Sequence, residues 1–281
     1  MSYQNFIPTV WAEGINRDLE KAHVFIENCN REYEGKVKSK GDSVKILNVG
    51  SPTITRTTDK NIVLTDPETV EDSSITMNIN QIAYYNYKID DIDKRQAAGN
   101  VVEALQKETS EKLSDEMDRF VADMSKDKAA KLYTASDAPT QITKDNILQT
   151  LDGALQMLYE NNVSPKSKIT ITVPPWFYFV LKQAYVKLDT DNSEMLKNGR
   201  VGMYGSLIVK MSNNVAQYQA NGKLCSMIQV KTDRAIAFVH PMTHCEAYRP
   251  EKGFSDAVKG FVLFDGKIVR PKEMIVLNCY Q

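Results

Sequence analysis

Residues 100–131 read NVVEALQKETSEKLSDEMDRFVADMSKDKAAK. The run holds neither Gly nor Pro and predicts one long helix. Asn100, with Glu103 three residues on, makes an N-cap in which two orphan donors are satisfied reciprocally. Val102, Leu105, Thr109, Leu113, Met117, Phe120 and Met124 recur in steps of three and four, so they share a face. Glu103–Lys107, Glu108–Lys112 and Asp115–Arg119 each place an acid four residues before a base, worth roughly 0.2–0.5 kcal/mol per pair. At about 1.5 Å per residue the helix spans roughly 45 Å, longer than a compact domain of this size needs.

Upstream, between Gly35 and Ile89, the period changes from helical to alternating. Val44, Ile46 and Leu47 predict one strand. Ile75, Met77 and Ile79, alternating with Ser74, Thr76, Asn78 and Asn80, predict another, and Tyr85, Tyr87 and Ile89 continue the alternation. Between them, residues 51–73 are rich in Thr, Ser, Asp and Asn, so the whole reads as a two-stranded arm with a polar tip. Such a ribbon is marginal alone in water, and its edges invite pairing. Either it lies back on its own domain or a neighbouring subunit stabilises it. Ahead of it, Phe6-Ile7-Pro8-Thr9-Val10-Trp11 is an apolar extended arm. A helix to about Asn30 follows, with Trp11, Ile15, Leu19, Ala22 and Ile26 on one face. That arm packs on its own core or docks on a neighbour.

Downstream, the turn-rich link 134–139 marks a domain boundary. A helix over about 144–161 carries Ile147, Leu151, Leu155 and Leu158 on one face and ends at Asn161-Asn162. Residues 168–173 predict a strand. Pro175 opens a short helix through Trp176, Phe179, Val180 and Tyr185, and 188–197 is a polar loop. Strands are expected at 207–209, 224–230, 235–239 and 274–277. Asp265-Gly266 between Val262-Leu263-Phe264 and Lys267-Ile268-Val269 predicts a tight hairpin turn.

The 281 residues carry 35 basic and 36 acidic side chains, a net charge of −1, so no global basic excess holds nucleic acid. Arg31, Lys36, Lys38, Lys40 and Lys45 make a local basic run that reads as a solvated strand edge or loop. No apolar run is long enough to span a membrane, and the N-terminus has no signal-peptide pattern. Cys29, Cys225, Cys245 and Cys279 are scattered without C-x-x-C, which predicts free buried thiols in a reducing compartment.

Candidate chemistry is sparse. Gly199, Gly202 and Gly205 follow a polar loop and lead into a strand, the reverse of a dinucleotide fingerprint, so they read as turn glycines. His240, His244 and Cys245 are close in sequence and His23 is far from them. Without H-E-x-x-H, and with Pro241 intervening, they read as packing or surface residues. Tyr84, Tyr85 and Tyr87 lie among few basic residues and read as arm-to-core packing rather than a base-stacking platform. No catalytic, cofactor-binding or metal-ligating residue is assigned, no cofactor is expected, and the chain is read as no enzyme.

The order of these parts resembles the major capsid (coat) proteins of tailed bacteriophages, which share the Hong Kong 97-type fold. The resemblance runs through nearly the whole chain. Its most specific stretches are Asn198-Gly199-Arg200-Val201-Gly202 through Gly205, Val209 and Ser212-Asn213. Glu246-Ala247-Tyr248-Arg249-Pro250, residues 253–260 and residues 264–271 add to it. It implies an α+β fold with an N-terminal arm and first helix (1–35) and an extended β-hairpin loop (36–90). A peripheral domain with the long spine helix (91–142), completed by C-terminal strands of 240–281, and a mixed axial domain (143–239) follow.

The implied function is self-assembly into the icosahedral head shell that encloses the phage genome. Hexamers and pentamers of the chain itself form that shell, in the virion, after assembly in the bacterial host cytoplasm. Implied partners are a separate scaffolding protein, because the chain begins directly at the arm, a portal, and double-stranded DNA bound without sequence specificity; no membrane is involved. An encapsulin-like nanocompartment shell is the alternative, and an α/β enzyme a more distant one. Some members cross-link a Lys to an Asn of a neighbour. Lys60 and Asn278 match no such motif, and no cross-link is expected.

Overall fold

The computed structural model describes residues 23–34, 43–49, 54, 56, 72–90, 101–135, 138–186, 203–204, 207–250 and 255–281. Its strands are β1 (Ser43–Val49), β2 (Asp72–Asn78), β3 (Gln81–Asp90), β4 (Lys131–Leu132), β5 (Thr140–Gln141), β6 (Ile169–Val173) and β7 (Met203–Tyr204). They continue with β8 (Leu207–Met211), β9 (Ala216–Ala220), β10 (Lys223–Thr232), β11 (Ile236–Tyr248), β12 (Ser255–Ile268) and β13 (Met274–Tyr280). Its helices are α1 (Val101–Asp123), α2 (Ile147–Glu160) and α3 (Pro175–Val186). The expected first helix over 11–22, the loop 188–197, Lys60 and the glycines at 199, 202 and 205 lie outside the described residues.

The expected long helix is α1, shorter at its C-terminal end than the composition allows. It stops at Asp123, tightens into a 3₁₀ turn over Met124–Lys126, and the chain is a strand by Lys131. The reason lies in β10. Gln229 is buried, and its Nε2 donates to the carbonyls of Val121 (2.8 Å) and Ala122 (3.1 Å) and to Ser125 Oγ (2.9 Å). A tertiary side chain therefore satisfies carbonyls that a longer helix would use internally. Of the expected apolar stripe, Leu113, Met117 and Met124 are buried in the main core and Phe120 packs partly buried against it, while Val121, outside that stripe, is buried as well. Of the expected ion pairs, Glu108–Lys112 (2.9 Å) and Asp115–Arg119 (2.8 Å) form on the exposed face. Lys107 instead faces Glu111 at 4.0 Å.

Two sheets flank this helix. An eight-stranded sheet runs β4-β13-β10-β6-β8-β7, with β5 on β13 and β9 on β10. All five residues of β6 are buried, and β6 pairs in parallel with β8, the geometry of a strand covered on both faces. Ile147, Leu151, Ala154 and Leu158 of α2 and Phe177, Leu181 and Ala184 of α3 close the core with Ile228, Val230, Ile275 and Leu277. Pro175 is the first residue of α3, and Asn162 ends α2 in the left-handed conformation at φ 63°. The link 134–139 is stitched down at both ends, because β4 and β5 both pair in parallel with β13.

The second sheet is three-stranded, β11-β12-β3. Two expectations are corrected here. β3 leaves the ribbon and pairs along its whole length with β12. The apolar strand Met274–Tyr280 inserts beside β10 in the larger sheet, where both of its faces are covered. Asp265-Gly266 is no turn: Asp265 pairs with Val239 and Gly266 with Phe238 inside a continuous strand. Asp265 instead holds the corner between β2 and β3, its carboxylate accepting Asn80 N–H at 3.0 Å. A Cβ on Gly266 would meet Met124 Cε at 2.7 Å. Among the described residues, Asn221-Gly222 makes a tight turn, φ 51° and 74°, joining β9 to β10 with two residues.

The ribbon is real at its base. β1 and β2 pair antiparallel from Ser43↔Asn78 to Val49↔Asp72. Its apolar face does not project bare: Val44, Ile46, Met77 and Ile79 are buried with Ala237, Val239 and Leu263 in a second, smaller core. The first helix was expected to run to about Asn30. Residues 23–25 are non-helical, and Ile26–Asn28 form only a 3₁₀ turn before Asn30 bridges Ala237.

Candidate functional site

The described residues gather their unusual polar contacts along α1, not in a catalytic pocket. Ser110, Ser114 and Asp118, spaced by four, form a second buried stripe beside the apolar one. The Asp118 carboxylate accepts backbone N–H groups from Val24 (2.7 Å), Phe25 (3.3 Å) and Ile26 (3.3 Å). Three backbone donors on one carboxylate anchor the incoming segment, and they explain why residues 23–25 are not helical. Ser114 Oγ meets His23 Nδ1 at 2.8 Å, and that nitrogen lies 3.6 Å from Asp118 Oδ1. The sequence reading missed this clasp. Its one signal was three short polar residues at helical spacing among long charged ones.

On the opposite side α1 and β3 bound an open groove of about 890 Å³, lined by residues including Tyr84, Tyr85, Tyr87, Glu108, Lys112 and Arg119. β3 is an edge strand, with Ile82 and Tyr84 exposed along it. Tyr85 and Tyr87 stack at 5.9 Å, and burial pushes both phenols above their ordinary range. Tyr85 and Tyr87 therefore pack beneath the helix, as read, whereas Tyr84 faces outward. At the far end of α1, Asp115 accepts from Asn214 of the Ser212–Asn213–Asn214 turn.

The histidines and cysteines are separated into different environments. His244 is exposed against Phe261, whereas neighbouring Cys245 points into the protein, as alternation along a strand requires. Burial raises the Cys245 thiol, opposite to what a nucleophilic thiolate needs. Burial, then His23 and Arg31, lowers His240 to about 4. No group of three His, Cys, Asp or Glu able to hold a metal occurs among the described residues. All four cysteines are free and buried. Asn278 is buried, donating to Ala135 O at 3.2 Å and accepting from Tyr218. No helix among the described residues is long and apolar enough to cross a membrane.

No protein-family model matches the chain, and no curated protein matches it. Solved structures do. A chain of Mycobacterium phage Che8 superposes with a TM-score of 0.72 at 25% identity, covering 90% of each chain. A chain from the capsid of Ralstonia phage GP4 gives 0.70 at 11% identity, covering 89% of this chain and 86% of that one. A virus-like particle from Pyrococcus furiosus gives 0.57 at 12% identity, covering 99% and 100%. The chain has the α+β fold of tailed-phage capsid proteins.

Proposed function

We propose that this chain is a major capsid protein that self-assembles into an icosahedral shell enclosing a phage genome, and that its role is structural rather than enzymatic. The observation that carries this reading is the end-to-end match to phage capsid structures, over about nine-tenths of the chain. The local geometry supports it. A ribbon whose base packs on β11 and β12, a segment clasped at Asp118 and an edge strand along α1 are surfaces that a neighbouring copy completes. Heterologous contacts of that kind close into rings.

On this reading residues 1–22 and the tip of the ribbon reach to neighbours, β3 and 91–142 with β11 and β12 form the peripheral part, and 143–235 with β13 form the axial part. A portal and a separate scaffolding protein are the further partners. Packaged double-stranded DNA is contained, not read, which suits a net charge of −1. The virion head is its place.

The test is to express the chain together with the genes that flank it and to image the product by negative stain. Closed shells are expected; a persistent monomer without rings or shells overturns the reading. A nanocompartment shell is the second reading, favoured by the full-length match to the Pyrococcus furiosus particle. Shells that enclose a co-expressed enzyme and no DNA would select it.

A further inference from the structure

We propose that Cys29 and Lys231 are an oxidative modification site, at which peroxide joins the two side chains through one bridging oxygen, Sγ–O–Nζ. Lys231 sits in β10, the strand between β13 and β6, and is only 2% exposed. Its amine donates to Asn28 O at 2.8 Å and to Cys29 Sγ at 3.0 Å. An amine this deeply buried is costly unless its few partners compensate it. A backbone carbonyl and a sulfur are what it reaches. The thiol in turn faces Phe25 O at 3.4 Å. The pair is therefore held in contact from two different elements, with the amine pointed at the sulfur.

The site is also reachable. Cys29 lines a surface pocket of about 400 Å³ together with Arg31, Arg234 and Arg270, which brings a small oxidant up to this residue. The other three thiols lack this arrangement. Sγ of Cys225 faces Lys223 O at 3.7 Å, Sγ of Cys279 faces Ser226 O at 3.8 Å, and Cys245 lies under Tyr85.

The chemistry balances with hydrogen peroxide as the named oxidant. One peroxide oxidises the thiol to a sulfenic acid and leaves as water. A second oxidises the Lys231 amine to a hydroxylamine and leaves as water. The sulfenic acid and the hydroxylamine then condense. The new S–O bond forms, the sulfenic hydroxyl departs with the hydroxylamine proton as a third water, and the N–O bond is kept. Sulfur and nitrogen are oxidised and both peroxides are reduced. A bridging oxygen suits a 3.0 Å gap after a small inward shift. A direct S–N bond would require the two atoms to close to about half that distance. The product ties the segment that Asp118 clasps to the central strand of the larger sheet. It does so only after the protein leaves a reducing compartment.

The experiment is mass spectrometry of the purified chain, reduced and then treated with hydrogen peroxide. The expected product gains one oxygen and loses two hydrogens. It joins the peptides containing Cys29 and Lys231, blocks tryptic cleavage after Lys231, and reverts with dithiothreitol. Cys29→Ser is expected to abolish it, and the variant with Cys225, Cys245 and Cys279 all changed to Ser to retain it. Loss of two hydrogens with no oxygen gained, a sulfenic or sulfinic Cys29 beside an unmodified Lys231, or a product that dithiothreitol does not reverse would each overturn the proposal. Because the wild-type chain decides the matter, a variant that fails to fold leaves the test intact.

Discussion

Tyr85 lies across the strand at Gly260. A Cβ on Gly260 would fall 2.4 Å from the Tyr85 hydroxyl oxygen and 2.6 Å from the carbonyl oxygen of His244. The missing side chain lets a tyrosine from β3 pass over β12 toward Cys245 on β11, tying all three strands together. Gly260→Ala should cost about 1–3 kcal/mol by overpacking, seen as a lower thermal midpoint. Adding Tyr85→Phe should not restore it, because the backbone oxygen still obstructs the methyl group. Full recovery in the double variant would place the obstruction in the tyrosine alone.

Asp118 is the anchor of the incoming segment, with three backbone donors on one buried carboxylate. Asp118→Ala leaves those donors unsatisfied and should lower stability by about 3 kcal/mol or more, since hydrogen bonds to a charged group contribute roughly 1.5–3 kcal/mol each. Urea unfolding of the two proteins measures this. A shift below about 0.5 kcal/mol, the range of an ordinary surface substitution, would mean that the clasp is not formed.

Leu113 is 6% exposed within the apolar stripe of α1. Leu113→Asp buries a bare charge and should cost several kcal/mol, giving insoluble protein. A soluble, shell-forming variant would show that this face is open to water.

His240 supplies a pH dependence with a definite sign. Its folded value, about 4, lies below the ordinary 6.5, first through burial and then through His23 and Arg31. The folded state binds fewer protons there. The contribution is therefore fully present above about pH 6.5 and is lost as the pH falls through about 4, to at most about 3 kcal/mol. Thermal midpoints between these limits should fall more steeply for the wild type than for His240→Gln. Parallel curves would exclude His240 as the source.

The ribbon tip separates folding from assembly. Among the described residues the strand pairs run to Val49↔Asp72, so replacing residues 51–70 by a short turn leaves the base and its small core in place. The midpoint should move by only a few degrees, while shell formation by the co-expressed protein should be lost. Normal shells from this variant would remove the tip from the assembly surface.

Local chemistry was legible wherever one residue type forces one backbone. Pro175 begins a helix, Asn162 ends one, and the alternation at Ile75, Met77 and Ile79 is a half-buried strand. The two X-Gly dipeptides mark where local reading stops. Asn221-Gly222 turns, and Asp265-Gly266 runs straight. In the second case the carboxylate is taken by Asn80 and the glycine by the approach of Met124, both distant in sequence.

The sequence by itself determined the element types, the apolar stripe of α1, the ribbon and the order of parts that matches a capsid subunit, because each follows from periodicity or from a residue's own torsional limits. Tertiary structure alone decided where α1 ends, through Gln229. It also decided which sheet receives β13, that the ribbon base lies on β11 and β12, and that Asp118, His23, Cys29 and Lys231 meet their partners. Those outcomes depend on contacts between residues far apart in the chain, for which a linear pattern carries no distance.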